Sequence, residues 1–158
     1  MKNMSLVHRE SRRIYFVLFA GLAFSSSVVA QSSFQGEWSY QQACGLRHTA
    51  NLGLKQTSNK VTGQWDDGTK LRGDNGELLG SIRSGKLFVR YCNEDAQSSN
   101  FSTCPKFNPG DKPDYYVLDG DQLIWYQSFG NGYRKYLTLH RFTKGKKFPT
   151  DNYCPEDN

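Results

Sequence analysis

The segment NGELLGSIRSGKLFVRYC, from Asn75 to Cys92, contains two largely alternating stretches that flank the dipeptide Ser84-Gly85. When Ser84-Gly85 is placed as a two-residue turn, Arg83 faces Lys86 and the flanking strands come into register. Side chains alternate along a strand, so one face of this hairpin holds Leu78, Gly80, Ile82, Leu87, Val89 and Tyr91. The other face holds Glu77, Leu79, Ser81, Arg83, Lys86, Phe88 and Arg90. The segment therefore predicts an antiparallel hairpin with one apolar and one mostly polar face.

A second hairpin, upstream of the first, can be aligned in the same way. A turn at Ser58-Asn59 places three residue pairs opposite each other on one face: Gln56 with Val61, Leu54 with Gly63, and Leu52 with Trp65. Ala50 and His48 continue this inner face toward the rim. Because two hairpins independently give consistent registers, the alternation predicts half-buried β-strands.

Three further strands are predicted downstream, from Tyr115 to Leu118, from Gln122 to Ser128 and from Tyr133 to Phe142. A turn at Asn131-Gly132 would align the last two strands. The inner face would then hold Ile124, Tyr126, Leu137, Leu139 and Arg141, and the outer face Leu123, Trp125, Phe129, Tyr136 and His140. A three-residue turn would reverse the sides on one strand, so this second alignment stays open.

With a first strand from Phe34 to Ala43, the chain contains about eight strands separated by turns, and no helical period persists along it. Eight antiparallel strands in a meander can close into a small barrel, wide enough for packed side chains or for one small ligand. The sequence therefore predicts an all-β, disulfide-stapled barrel that forms a single domain over residues 31–158.

Residues 1–30 have the pattern of a secretory signal peptide. Basic residues such as Arg12 and Arg13 precede the uncharged, mostly apolar run from Ile14 to Phe24, and small residues end at Ala30. A membrane anchor is the alternative, but the run is shorter than the roughly 20 residues that span a bilayer. The protein is therefore predicted to be periplasmic or secreted, exported by the general or the twin-arginine route, with no membrane anchor after cleavage.

The positive charge of the chain lies largely in this leader. The whole chain has 20 Lys and Arg against 15 Asp and Glu, a net charge of +5. Residues 1–30 hold Lys2, Arg9, Arg12 and Arg13 against Glu10, so the remaining chain carries a net charge of +2. The composition of the domain therefore does not support a nucleic-acid partner.

The domain contains four cysteines, which in an exported chain predict two disulfides. Three pairings are possible, and the one that we favour joins Cys92 with Cys104 and Cys44 with Cys154. The first bond would close a short loop, and the second would fasten the tail to the barrel. The absence of a CxxC pair argues against a zinc site.

Residues 93–113 form a long connection rich in Asn, Ser, Pro and Asp, and residues 143–158 form a C-terminal tail. A connection of this length is usually functional or disordered, and Cys104 indicates that it is pinned. Phe101, Lys106 and Phe107 stand among turn formers, and aromatic and basic side chains commonly anchor interfaces. These three residues are the predicted partner-binding residues. Alternatively, the two phenylalanines fold back over the barrel.

The first strand contains Gly36 and Trp38 on one face, within the tripeptide GEW, and the last strand contains Arg141. This pattern resembles the calycins, the superfamily of lipocalin and avidin-like barrels. There a Gly-x-Trp on the first strand closes the base, and in lipocalins an Arg near the end of the last strand packs over the Trp. The resemblance implies the barrel topology. It does not extend to lipid or biotin binding, because the helix after the last lipocalin strand and the avidin biotin loop have no counterpart here.

No motif in the sequence predicts catalysis. His48 could contact a ligand or act as a base, but a histidine hydrogen-bonded at the edge of the core explains it as well. His140 is predicted to point outward, so a two-histidine metal site is not indicated. A G-x-S-x-G nucleophile motif does not occur. The protein is therefore predicted not to be an enzyme and to need neither metal nor cofactor.

Two binding functions remain. In the first, a solid barrel uses its rim loops to bind another protein, as an inhibitor or immunity protein of a cell-wall hydrolase or a toxin does, since loops on a rigid frame are pre-organised. In the second, a hollow barrel carries a small apolar or aromatic ligand against Trp38, Tyr40, His48, Trp65 and Tyr91. The size of an internal cavity distinguishes them, since a ligand barrel needs about 300 Å³ or more.

Overall fold

The computed structural model describes residues 33–95, 102–107 and 112–154. The predicted signal peptide and Phe101 lie outside these ranges. Nine strands are described: β1 (Gly36–Gln41), β2 (Thr49–Thr57), β3 (Lys60–Gly68), β4 (Gly73–Arg83), β5 (Lys86–Asn93), β6 (Ser102–Thr103), β7 (Asp114–Asp119), β8 (Gln122–Phe129) and β9 (Gly132–Arg141). Over the same ranges there is no helix of the length and hydropathy that would be needed to cross a membrane.

Eight of these strands form one closed antiparallel barrel. Each strand from β1 to β5 pairs with the next, β5 pairs with β7, β7 with β8 and β8 with β9. The barrel closes where β9 returns to pair with β1. The two-residue strand β6 lies outside this circuit and pairs in parallel with the end of β5. The predicted eight-stranded antiparallel meander is confirmed.

The two hairpins aligned from the sequence have the predicted registers. Leu52 pairs with Trp65 in the β2–β3 hairpin, and Leu78 pairs with Tyr91 in the β4–β5 hairpin. Gly80 faces the interior at a crowded point, where an added Cβ would lie 2.7 Å from a methyl carbon of Leu87. A glycine at this position therefore lets the neighbouring strand pack closely.

The predicted alignment of β8 and β9 is wrong by one residue. The turn lies at Gly130-Asn131, and a β-bulge interrupts the pairing between Trp125 and Tyr126. The extra residue is Tyr136, since Trp125 pairs with Leu137 and Tyr126 pairs with Lys135. Leu123 and Trp125 are therefore buried in the core, where the sequence predicted Ile124 and Tyr126. Leu137 and Leu139 are buried as predicted.

The barrel interior is filled by a contiguous cluster of apolar and aromatic side chains. Trp65 contacts Tyr91 with ring centroids 4.9 Å apart, and Tyr91 contacts Trp125 at 5.8 Å. Tyr116 lies 5.4 Å from Trp125, and its hydroxyl shares a 2.7 Å hydrogen bond with that of Tyr91. The cluster consists of Phe34, Trp38, Ala50, Leu52, Leu54, Val61, Trp65, Leu78, Leu87, Val89, Tyr91, Tyr116, Leu123, Trp125, Leu137 and Leu139.

One end of the barrel, which we call the turn end, carries the β2–β3, β4–β5 and β7–β8 turns and the start of β1. Trp38 is fully buried there, and its indole nitrogen donates a 2.9 Å hydrogen bond to the carbonyl of Phe34. The Arg141 guanidinium lies 4.1 Å from the Trp38 ring centroid and donates to the carbonyl of Gln35. Gly36 has a φ of +130°, a conformation that residues with a side chain rarely adopt, and an added Cβ would lie 2.7 Å from this guanidinium, so the arrangement favours a glycine.

Candidate functional site

The opposite end of the barrel, the loop end, carries the longer connections. These are residues 42–48 between β1 and β2, residues 69–72 between β3 and β4, and the connection between β5 and β7. The β8–β9 turn lies at the same end. In an antiparallel meander every second connection falls at one end, so the loop end follows directly from the order of the strands.

Both disulfides lie at the loop end. Cys44 is bonded to Cys154 with Cα atoms 6.1 Å apart, and Cys92 is bonded to Cys104 with Cα atoms 4.9 Å apart. This is the pairing that the sequence analysis favoured. The first bond ties the tail to the β1–β2 connection, and the second ties the long connection to the end of β5.

The tail is also held by backbone pairing along the end of β1. Asp151 forms an isolated parallel bridge with Gln42, and its backbone N–H donates to the carbonyl of Gln41 at 2.8 Å. In return the N–H of Ala43 donates to the carbonyl of Asp151 at 2.8 Å. On this side of β1, β9 pairs with Trp38 and Ser39. The tail pairs with the residues that follow, from Gln41 to Ala43.

The long connection is anchored to the barrel through Asn93, which is 1% exposed. Its side-chain amide donates a 2.7 Å hydrogen bond to Asp74, and its side-chain oxygen accepts one from the N–H of Asp95. The backbone N–H of Cys104 donates to the Asn93 carbonyl. Of the predicted partner-binding residues, Lys106 is exposed and Phe107 is half-buried. Both are in the part of this connection that the structure describes, beside the disulfide.

A polar cluster crosses the loop end and joins β1, the residue before β2, β3, β9 and the tail. His48 Nε2 lies 2.5 Å from a carboxylate oxygen of Asp67, and the Tyr136 hydroxyl donates to the other oxygen of Asp67 at 2.9 Å. The Tyr40 hydroxyl donates to the carboxylate of Asp151 at 2.9 Å. The rings of Tyr40 and His48 touch edge to face, with centroids 5.4 Å apart. His48 is thus hydrogen-bonded at the edge of the core, and the same cluster holds the tail.

The β-bulge explains why Tyr136 belongs to this cluster and not to the outer face, where the sequence placed it. An extra residue in one strand re-aims the side chains that follow it. Tyr136 therefore turns toward the interior and packs edge to face against Trp125, with centroids 4.9 Å apart. A sequence signal existed: with a two-residue turn, Leu123-x-Trp125 and Leu137-x-Leu139 can both face inward only if one of the two strands contains an extra residue.

Burial and neighbouring charges raise the pKa values of several side chains at this end. Burial, helped by the Asp151 hydrogen bond, raises the pKa of Tyr40 to about 12. Burial and the charge of Asp67 raise the pKa of Tyr136. Burial also raises the pKa of Asp114, although hydrogen bonds from the Ser128 N–H and the Trp125 indole oppose the shift. The two phenols therefore stay protonated as hydrogen-bond donors at neutral pH.

The residues predicted to line an internal ligand site fall into two groups. Trp38, Trp65 and Tyr91 are at most 9% exposed and belong to the core. Tyr40 and His48 lie in the polar cluster instead. A cleft of about 330 Å³ opens beside them, lined by Tyr40, Lys135, Tyr136, Leu137, Thr138, His140, Pro149, Thr150 and Asp151. The five residues therefore do not form one common pocket.

Among the described residues, groups of three or more His, Cys, Asp or Glu side chains placed to hold a metal ion do not occur. Comparison with protein-family models, with curated proteins and with solved structures found no match.

Proposed function

We propose that the protein is a non-enzymatic, exported binding protein that recognises another protein through its loop end. The main support for the proposal is that covalent bonds and hydrogen bonds hold the connections of the loop end in place. Two disulfides, the tail pairing at Asp151 and the Asn93 hydrogen bonds all lie there. Loops held rigidly before binding lose little conformational entropy on association. Such a surface suits an inhibitor or immunity protein of a cell-wall hydrolase or a toxin.

Carriage of a small apolar ligand inside the barrel is the second function that the sequence left open, and the packing supports it less. The rings of Trp65, Tyr91, Tyr116 and Trp125 contact one another across the interior. A ligand there would have to displace these core side chains, because the interior of a small eight-stranded barrel has room for packed side chains or for one small ligand, but not for both.

The export of the protein is part of the proposal. Disulfides persist in oxidising compartments such as the periplasm and the extracellular space, and the structure pairs all four cysteines. We propose that residues 1–30 are removed as a signal peptide. Intact-mass measurement of the protein from its native host, with and without alkylation, tests both points. Alkylation without prior reduction would contradict the disulfides.

We also infer that the barrel is of the calycin type. The stacking of Arg141 on Trp38 beside Gly36 supports this inference, because it places the three residues of the sequence resemblance in direct contact. The inference concerns ancestry and topology, and the choice of ligand does not follow from it.

The binding proposal is tested by comparing variants at the two ends of the barrel. Phe107→Ala changes the loop end, and Lys60→Ala, at an exposed position beside the β2–β3 turn, is the matched control. Each protein is titrated into lysis assays of purified cell-wall hydrolases and is used to capture partners from a periplasmic extract. We expect Phe107→Ala alone to lose inhibition or capture, while its unfolding free energy stays within about 0.5 kcal/mol of the wild type.

Two results would contradict the proposal. If neither the wild type nor the variants inhibit or capture any protein, and denaturation releases a small molecule that mass spectrometry identifies, the barrel is a carrier. If Phe107→Ala lowers the free energy of unfolding by well over 1 kcal/mol, Phe107 is a cover for the barrel surface and not an interface anchor.

A further inference from the structure

The outer wall formed by β5, β7, β8 and β9 carries a row of contacting aromatic rings, which we call the aromatic ladder: Phe88, Tyr115, Tyr126 and Tyr133. Phe88 and Tyr115 have ring centroids 5.6 Å apart, and Tyr115 stacks on Tyr126 at 4.8 Å with an interplanar angle of 13°. Tyr133 meets Tyr115 edge to face at 4.7 Å. Neighbouring strands lie about 4.8 Å apart, so the ladder runs across the strands, perpendicular to them.

Three cations lie on the rings of the ladder. The Arg83 guanidinium is 4.6 Å from the Phe88 centroid, and the Lys86 ammonium is 4.6 Å from the Tyr115 centroid. The Lys112 ammonium is 4.7 Å from the Tyr133 centroid. A cation over a ring face is attracted to the π-electrons but keeps its full charge. The ladder therefore holds three positive charges at defined positions.

The charges on this wall are mostly of one sign. Outward-facing positions of β5, β7, β8 and β9 within the described chain hold Lys86, Arg90 and Lys135 against the acidic Asp119. The opposite wall, formed by β1 to β4, differs because its outward positions hold as many acidic as basic side chains: Glu37, Asp66 and Glu77 with Lys55, Lys60 and Arg83, the last of which borders the ladder at Phe88. The domain as a whole carries a net charge of only +2, so the ladder wall is a local concentration of positive charge.

We propose that the aromatic ladder binds an acidic polysaccharide, a linear chain of sugar rings that carry carboxylate groups. The fixed cations match the carboxylates, and the hydroxyls of Tyr115 and Tyr126 can exchange hydrogen bonds with sugar hydroxyls. A single-stranded nucleic acid fits less well. Its bases need open ring faces on which to stack, whereas Phe88, Tyr115 and Tyr133 each have a cation over the ring, and Tyr115 and Tyr126 stack on each other. The inference does not depend on a protein partner at the loop end.

The test measures binding of the purified protein to alginate oligosaccharides, a carboxylated polysaccharide, by calorimetry at low and moderate salt. Uncharged dextran and single-stranded oligo(dT) serve as the other arms. We expect binding to alginate, none to dextran, and clearly weaker binding to oligo(dT). Lys86→Gln should weaken alginate binding about tenfold, as the loss of one charge-assisted hydrogen bond does. Lys60→Gln removes the same charge from the opposite wall and should leave binding unchanged.

A second pair of variants separates the ladder from simple charge attraction. Tyr115→Leu keeps every charge but removes the ring that holds Lys86, and we expect it to weaken binding about threefold. Phe88→Leu, which keeps every charge but removes the ring under Arg83, gives the same information if Tyr115→Leu fails to fold. The proposal is overturned if alginate does not bind, if oligo(dT) binds as tightly, or if Lys60→Gln weakens binding as much as Lys86→Gln. It is also overturned if folded Tyr115→Leu binds as the wild type does.

Discussion

The two ends of the barrel are built by different means. At the turn end, three short turns connect the strands, and Arg141 lies over the buried Trp38 ring. At the loop end, the connections are longer and the β-bulge turns Tyr136 into a polar cluster. Both disulfides are also found at the loop end. The turn end is thus stabilised by packing, and the loop end by covalent bonds and hydrogen bonds between polar groups.

This difference shows where the molecule can vary its sequence without losing its fold. Short turns and a buried indole leave little room for new side chains at the turn end. Connections that are cross-linked at defined points can change between those points, which is how many scaffolds carry binding loops. The proposal that the loop end binds a partner rests on this contrast. Substitutions at the two ends test whether they are stabilised by these different means.

The largest effect is expected at the turn end. Trp38→Ala removes a fully buried indole, its hydrogen bond to Phe34 and the surface on which Arg141 lies. Large-to-small changes of this kind cost about 3–5 kcal/mol of unfolding free energy. Urea denaturation followed by circular dichroism measures the loss. Tyr153→Ala, at a tail position that is 66% exposed, is the control. An unchanged midpoint for Trp38→Ala would mean that packing does not hold the turn end.

The next effect concerns the covalent bonds of the loop end. Replacing both Cys44 and Cys154 with serine opens a bond between residues 110 positions apart. Loss of a native disulfide typically costs about 2–5 kcal/mol, and we expect about 2–4 kcal/mol because the strands of the barrel stay paired. Thermal and urea unfolding should show the loss together with faster proteolysis of the tail. If the double variant matches the wild type in both, the hydrogen bonds of Asp151 alone hold the tail.

A smaller effect is expected from the polar cluster. Tyr136→Phe keeps the ring against Trp125 but removes the hydroxyl that donates to Asp67. Loss of a hydrogen bond to a charged acceptor should lower the unfolding free energy by about 1–2 kcal/mol. Tyr133→Phe removes an exposed hydroxyl that donates to the Pro113 carbonyl, and it should change stability by less than about 0.5 kcal/mol. Equal effects of the two substitutions would show that the cluster does not stabilise the loop end.

The smallest effect is a change in the pH dependence of stability. Burial raises the pKa of Asp114 above its ordinary value of 3.8, so the folded protein keeps this proton where the unfolded chain has lost it. The stability that Asp114 contributes is therefore present below pH 3.8 and lost as the pH rises through the folded-state pKa. Asp114→Asn should remove this part of the slope. Urea midpoints of both proteins at several pH values from 3.5 to about 7 give the difference. Parallel curves would contradict the assignment.

The sequence predicted the barrel because its signal is local. In the β2–β3 and β4–β5 hairpins, alternation and a two-residue turn determine which residues face each other, and the predicted pairs are those observed. The β8–β9 hairpin contains one extra residue, Tyr136, which alternation alone does not reveal. The prediction that Leu123 and Trp125 face outward was wrong for this reason.

The loop end was harder to predict because its contacts join distant parts of the chain. Tyr136 and His48 are 88 positions apart, and Tyr40 and Asp151 are 111 positions apart. The sequence placed His48 near the rim but gave no partner for it. The aromatic ladder was missed as well, since Tyr126 was predicted to face inward. Only the outward position of Phe88 in that ladder was predicted.

The closure between β1 and β9 also determines the order in which the chain can fold. Arg141 donates a hydrogen bond to a residue 106 positions earlier, whereas the β4–β5 hairpin forms between near neighbours. Local contacts form early, and contacts between distant residues carry the larger loop-closure entropy. The hairpins can therefore assemble one after another while the chain is still emerging, but the barrel closes only after the last strand is complete. Until then β1 and the most recently formed strand are both open sheet edges, and this is the interval in which the chain is most exposed to aggregation.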